Sequence, residues 1–159
     1  MDNEVKEFLA ALQKKLVSID YIKTEDIPNI GLYMDQVTTF MDEQLEACKR
    51  YEDDKILTKT MINNYAKNDL LPPPLKKKYS KEHLLVLVFI YYFKSILSIT
   101  DIQALLKPIT DTYFPASEDL SLEDIYNEVF RLQKSQVDVL KEDIANRYRL
   151  SRETFQDAP

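Results

Sequence analysis

Hydrophobic residues recur along most of this chain at intervals of three and four, the spacing that places apolar side chains on one face of an α-helix. The first segment predicts an amphipathic helix within residues 1–23, which we assign as an N-terminal helix packing on the core. Pro28 and Gly31 interrupt the repeat, which resumes at Leu32 and predicts a second helix ending near Arg50. The apolar positions of the first helix are Val5, Phe8, Leu9, Leu12, Leu16 and Ile19.

Residues 58–68 predict a third, short helix whose two faces differ in chemistry. Thr58 is a suitable N-cap because its side-chain oxygen can accept a hydrogen bond from a backbone N–H of the first turn. The helix must end by Leu71, because prolines follow and a proline disfavours helical geometry in the residue before it. The inner face carries Met61, Ile62, Tyr65 and Ala66, and the outer face carries Lys59, Thr60, Asn63, Asn64 and Lys67.

The run from Leu84 to Phe93 is the longest apolar stretch of the chain. Its β-branched and aromatic residues would also suit a buried strand, and periodicity does not separate the two structures. We favour a helix from Lys81 to about Leu97, because the segment is long and Ser80 can cap it. The run is too short to span a bilayer, so we interpret it as a buried element.

The C-terminal third predicts one short helix and one long helix. Thr100 is expected to cap the short helix, and Pro108 is expected to end it. Ser121, followed three residues later by Asp124, resembles a capping box and opens a segment of about thirty residues without proline or glycine. We predict one long C-terminal helix within residues 117–155. Its narrow apolar stripe fits a dimerisation element and a helix lying back across its own core equally well.

The composition argues against several functional classes. Gly31 is the only glycine, so the glycine-rich phosphate loops of P-loop and Rossmann enzymes are absent. Cys48 is the only cysteine and His83 the only histidine, which leaves no intrachain disulfide or thiolate zinc cluster and no visible catalytic pair. We therefore expect a cytoplasmic, non-enzymatic protein that binds no cofactor, no metal and no membrane, with Cys48 as a half-buried helix residue.

The charge is divided unevenly along the chain. Residues 1–48 carry four lysines against ten acidic residues, and residues 82–159 carry eight basic against thirteen acidic residues. Residues 49–81 carry nine basic against four acidic residues, so this block is positive within a protein of net charge −6. The lysine run 76–78 inside the block fits either a solvated loop or a surface for an anionic partner.

The order of elements in residues 26–109 resembles the winged helix-turn-helix of the mercury-resistance (MerR) type of bacterial transcription regulators. The stretch "LTKTMINNYAKNDLLPPP" is similar to that family's recognition-helix signature, in which an aromatic residue lies within the helix and Leu-Leu-Pro leads into the wing. "KKYSKEHLLVLVFI" is similar to the tyrosine that closes the wing and to the capped helix behind it. "KSILSITDIQALL" is similar to the following short helix.

This resemblance implies an all-α, mainly helical fold: a MerR-like winged helix-turn-helix core with an added N-terminal helix and a long C-terminal helix. The whole chain, with "IPNIGLYMDQVTTFM" ahead of the core, also resembles the bacterial domain of unknown function 1836 family. That second resemblance implies no particular activity.

The MerR-type resemblance implies a DNA-binding transcriptional regulator that contacts duplex DNA with the helix 58–68 and the basic wing 72–79. The wing lysines suit phosphates, and Asn63 and Asn64 suit adenine edges, because a side-chain amide can donate to N7 and accept from the N6 amine together. A solvated helix surface is the alternative interpretation of both asparagines. The candidate DNA-binding set is Thr58, Lys59, Thr60, Asn63, Asn64, Lys67, Lys76, Lys77, Lys78 and Tyr79.

The role of two tyrosines stays open at the level of sequence. Tyr65 and Tyr79 fit packing beneath the helix and the wing, with their hydroxyls at the rim.

The expected partners are double-stranded DNA and a second copy of the chain joined through the C-terminal helix. The alternative function is a protein–protein interaction module that uses a winged-helix scaffold without binding DNA.

Overall fold

The computed structural model describes residues 3–18, 21–49, 51–114 and 119–154. Regular structure in these ranges is helical and includes no β-strand, which confirms the all-α class. No helix within them is both long enough and apolar enough to cross a membrane. The helices are α1 (Asn3–Ser18), α2 (Met34–Gln44), α3 (Lys59–Lys67), α4 (Lys81–Phe93), α5 (Ile99–Tyr113), α6 (Leu122–Ser135) and α7 (Val137–Glu153), with short 3₁₀ turns at Thr24–Asp26 and Glu46–Cys48.

The chain forms two compact units. One unit spans Ile22–Asn127 and holds α2 to α5 with the beginning of α6. The other joins Met1–Tyr21 to Glu128–Pro159, and within it α1 contacts α7. The packing of the N-terminal helix on the core stays a prediction.

Helix α4 is the centre of the 22–127 unit. Every residue from His83 to Ile90 is buried, so this helix is covered on all sides, as expected of a helix that is apolar all round. The strand alternative for this run is therefore wrong, although the helix ends at Phe93 and not near Leu97. Tyr126 of α6 is also fully buried, and its hydroxyl donates to the Ile22 carbonyl at 2.8 Å.

Helix α5 differs from the prediction at both ends. Its N-cap is Ser98 and not Thr100, because the Ser98 hydroxyl accepts a hydrogen bond from the Asp101 N–H at 3.2 Å. Pro108 does not end the helix, which continues to Tyr113. The proline removes one backbone donor, but Ile102 and Leu106 on the preceding turns are buried, and this tertiary packing outweighs the local preference.

The predicted long C-terminal helix is divided at Gln136 into α6 and α7. Gln136 keeps near-helical dihedrals, with φ of −88° and ψ of −7°, and its N–H bonds to the Gln133 carbonyl three residues back. The break is thus one tightened turn. Ser121 caps α6 as predicted, because its hydroxyl accepts from the Asp124 N–H at 3.1 Å.

Candidate nucleic-acid interface

Helix α3 presents a polar stripe opposite a buried face. Ile62 and Tyr65 are buried at 0% and 7% exposure, and the outward side chains are exposed. Positions i, i+3, i+4 and i+7 form a single stripe on a helix surface. Within the described residues no hydrogen bond or ion pair engages the side chains of the stripe. Its members are Thr60, Asn63, Asn64 and Lys67.

The first turn of α3 contains the two remaining candidates of this helix. Thr58 is the N-cap as predicted, and its hydroxyl oxygen accepts from the Met61 N–H at 3.2 Å. The side chain is half-buried and already occupied, so its main role is to start the helix. Lys59 is exposed and forms an ion pair with Asp35 in the first turn of α2.

The C-terminus of α3 is closed by a Schellman motif that uses aspartate in place of glycine. Asp69 has a φ of 57°, in the left-handed region that non-glycine residues rarely adopt. The Leu70 N–H bonds to the Tyr65 carbonyl at 2.9 Å, and the Asp69 N–H bonds to the Ala66 carbonyl at 3.3 Å. Lys107 of α5 holds the Asp69 carboxylate at 2.8 Å. The direction of the chain leaving α3 is therefore fixed.

The lysine run 76–78 lies at the tip of a β-hairpin whose loop has two residues, Lys76 and Lys77. Leu75 and Lys78 exchange both backbone hydrogen bonds, at 2.9 and 3.1 Å. Lys76 and Lys77 between them have φ values of 49° and 62°, the geometry of a type I′ turn. This turn normally takes Asn-Gly, since a left-handed conformation costs an ordinary L residue about 1–2 kcal/mol. Both lysine side chains are exposed.

A second chain segment supports the hairpin from behind. Leu32 pairs with Tyr79 through backbone hydrogen bonds of 2.8 and 2.9 Å. Beside this bridge, a Cβ placed on Gly31 would lie 3.1 Å from the Lys78 side chain. The Lys78 ammonium lies 5.3 Å from the centre of the Tyr33 ring, within the range of a cation–π interaction. The sequence did not predict that this segment supports the hairpin. The single glycine at position 31 was the one feature of the sequence that pointed to such a close approach.

Tyr79 is corrected from a DNA-contacting residue to a supporting residue. It is 3% exposed, and burial raises the pKa of its hydroxyl above the ordinary value. Its ring meets the edge of His83 at a centroid distance of 5.4 Å. The prediction of packing beneath the wing is thereby confirmed, and the phenol is not free to reach a phosphate.

His83 connects the proline segment, the hairpin and α4. Its Nδ1 accepts a hydrogen bond from the Ser80 N–H at 2.9 Å, so the neutral ring carries its proton on Nε2, 3.3 Å from the Pro73 carbonyl. Phe114 stacks edge-on at 4.7 Å. Burial lowers the pKa of His83. His83 therefore has a structural role. We call its contacts with Pro73, before the hairpin, and with Ser80, after it, the His83 clamp.

The basic block divides into paired and unpaired cations. Lys49 pairs with Asp42 at 3.0 Å, and this contact lowers the pKa of the Asp42 carboxyl. Lys81 pairs with Glu123 at 3.0 Å. Within the described part of the chain, the lysines of the α3 stripe and of the hairpin tip make no ion pair. Positive charge is therefore available on α3 and on the hairpin.

The described residues offer few groups suited to metal binding or to thiol chemistry. They contain no group of three or more His, Cys, Asp or Glu side chains placed to hold a metal ion. Cys48 is half-buried as predicted, in the 3₁₀ turn after α2, and its sulfur lies 3.8 Å from the Tyr92 hydroxyl. Burial raises the pKa of Tyr92, so this neighbour stays protonated.

The comparisons identify one family. The model for the family described as Domain of unknown function (DUF1836) matches residues 22–129, which include α2 to α5, the hairpin and the beginning of α6. Neither the curated proteins nor the solved structures contain a match to this chain.

Proposed function

This chain belongs to the DUF1836 family, and we propose that it is a DNA-binding transcriptional regulator in which α3 and the hairpin act as the recognition helix and wing of a MerR-type winged helix-turn-helix. The observation that carries the proposal is the conformation of Lys76 and Lys77. Two lysines occupy a turn that asparagine and glycine would form with less strain. Strained backbone conformations cluster at functional sites, and here the two strained residues supply exposed positive charge.

The lysines and the asparagines of this surface have different roles in the proposed complex. Lysines at the hairpin tip and Lys67 neutralise phosphates and release condensed counterions, a contribution that carries no sequence information. Asn63 and Asn64 lie in the middle of the outward stripe, where an amide can form two hydrogen bonds with adenine. The Schellman motif and the His83 clamp hold the helix and hairpin in a fixed relation, which precise groove contact requires.

Dimerisation is part of the proposal. Helices α6 and α7 carry exposed apolar side chains that a second copy would cover, as in regulators that read two half-sites. A protein that is monomeric at micromolar concentration would contradict a palindromic site, and size-exclusion chromatography with light scattering measures this. The exposed large apolar residues of these two helices include Val129, Leu132, Val139, Leu140 and Leu150.

A protein-interaction module is the second candidate function. Leu75 at the base of the hairpin is 78% exposed, and Ile30 and Tyr33 on the supporting segment are 67% and 53% exposed. Exposed large apolar side chains are typical of protein interfaces, and an apolar interface responds little to salt.

Salt dependence separates the two candidates. We would measure fluorescence anisotropy of labelled duplexes, including the region upstream of the protein's own gene, at several salt concentrations. DNA binding through unpaired lysines predicts a slope of log affinity against log salt of about −0.9 for each phosphate contact. If the folded protein binds no duplex at low salt, the regulator hypothesis fails and the interaction module takes its place.

A further inference from the structure

The first turn of α3 has an unusual charge arrangement. The N-terminus of a helix attracts anions, yet this turn carries Lys59 and contains no acidic residue of its own. The Lys59 ammonium is instead partnered from another helix, because it forms an ion pair with the Asp35 carboxylate of α2. Both side chains are well exposed, at 59% for Lys59 and 76% for Asp35, so an incoming ligand can reach them.

We propose that the Asp35 carboxylate occupies, in the free protein, the place beside the Lys59 ammonium that a DNA phosphate takes in the complex, and thereby limits sequence-independent binding. This inference rests on the proposed function, because it concerns the same surface. A carboxylate and a phosphate both accept hydrogen bonds from an ammonium group, so each can partner Lys59 in the same way.

The competition affects all DNA sequences alike. A phosphate that approaches Lys59 must displace Asp35 or lie beside its negative charge, whichever bases are in the groove. Affinity for random duplexes therefore falls, and tight binding requires the additional base contacts of Asn63 and Asn64. Exposed ion pairs are weak, so the expected effect is modest, about two- to fivefold in affinity.

The test compares charge-removing variants on a labelled duplex of random sequence. D35N removes the competing charge and keeps the shape of the side chain. E43Q is the matched control, because Glu43 lies on the same helix, is exposed and has no ion pair within the described residues. K59Q and the double variant D35N/K59Q complete a double-mutant cycle, which isolates the effect that passes through Lys59.

We expect D35N to bind random duplex about two- to fivefold more tightly and to steepen the salt slope by about 0.9, since Lys59 becomes free to release a counterion. E43Q should leave both quantities near wild type, and D35N should have no effect in the K59Q background. An unchanged D35N, an equal gain in E43Q, or a full gain without Lys59 would each overturn the inference while the regulator function stands. Absence of binding in wild type and every folded variant would overturn both.

Discussion

Gly31 and Lys78 approach each other so closely that a Cβ built on the glycine would lie 3.1 Å from the Cβ and Cδ atoms of the lysine. The contact joins the segment before α2 to the last residue of the hairpin turn. The only glycine of the chain is therefore explained by close packing, because its φ is not in the left-handed region. An alanine there requires the Lys78 side chain, beside the Leu32–Tyr79 bridge, to move by a few tenths of an ångström.

We predict that G31A lowers the free energy of unfolding by about 0.5 kcal/mol, less than overpacking of a closed core costs because both residues are exposed, and weakens DNA binding through displacement of Lys78. Urea unfolding and anisotropy measure the two effects. The variant G31A/K78A removes the atoms beyond the Lys78 Cβ and should recover part of the stability but none of the binding. If G31A is as stable as wild type, the close approach does not restrict this position.

The hairpin tip allows stability and binding to be separated. In K76N/K77G the turn receives the residues that type I′ geometry prefers, so we expect the free energy of unfolding to rise by about 1 kcal/mol. The same change removes two positive charges, so the salt slope of DNA binding should become shallower by about 1.8. Thermal unfolding and anisotropy on one preparation test both statements.

A matched control for that experiment is K14Q/K134Q, which removes the same charge from exposed positions in the other unit. This control should change neither quantity appreciably. A K76N/K77G protein that is more stable and binds duplex as well as wild type would remove the main support for the wing. Replacement by alanine is less informative, because alanine is strained at positive φ as lysine is.

The sequence predicted the features that depend on neighbouring residues and missed those that depend on distant ones. The caps at Thr58, Ser80 and Ser121 follow from local hydrogen bonding and could be recognised directly. The continuation of α5 beyond Pro108 depends on burial of its preceding turns, which local rules do not include.

The candidate site shows the same limit. The outward stripe of α3 follows from helical periodicity and was predicted residue by residue. The left-handed turn at Lys76 and Lys77 could not be predicted, because the residue preferences for such turns favour asparagine and glycine. The burial of Tyr79 under His83 and the pairing of Lys59 with Asp35 join residues from separate elements, and a single sequence does not contain those contacts.

The two asparagines of α3 predict a loss of sequence discrimination. N63A/N64A should weaken binding to a cognate duplex by about 1–3 kcal/mol for each lost bidentate contact and should leave the salt slope unchanged. K67Q is the contrasting variant, because loss of a phosphate contact weakens all duplexes alike and makes the slope shallower by about 0.9. Equal losses of N63A/N64A on cognate and random duplexes would exclude base contact by these residues.

His83 predicts that stability falls on mild acidification. The unfolded imidazole titrates near its ordinary pKa of about 6.5, whereas burial lowers the pKa of the folded imidazole. Between the two pKa values the unfolded chain binds more protons at this residue, so the contribution of His83 to the free energy of unfolding is constant above about pH 6.5 and decreases below it, by at most about 1.4 kcal/mol per pH unit. Urea unfolding between pH 7.5 and about 5.5 measures this window, since the lowered carboxyl pKa values of Asp42, Asp124 and Glu128 act at lower pH.

The control for His83 uses the capping position that it occupies. In H83Q the glutamine can still accept from the Ser80 N–H, as in a Ser-x-x-Gln capping box, while the titrating ring is lost. H83Q should therefore be less stable than wild type at pH 7.5 because it loses the contacts with Tyr79 and Phe114, and its stability should be flat between pH 7.5 and about 5.5. His83 is the only histidine of the chain. If H83Q keeps the wild-type pH dependence, another group is responsible for it, and His83 does not contribute to the change in the free energy of unfolding between pH 7.5 and about 5.5.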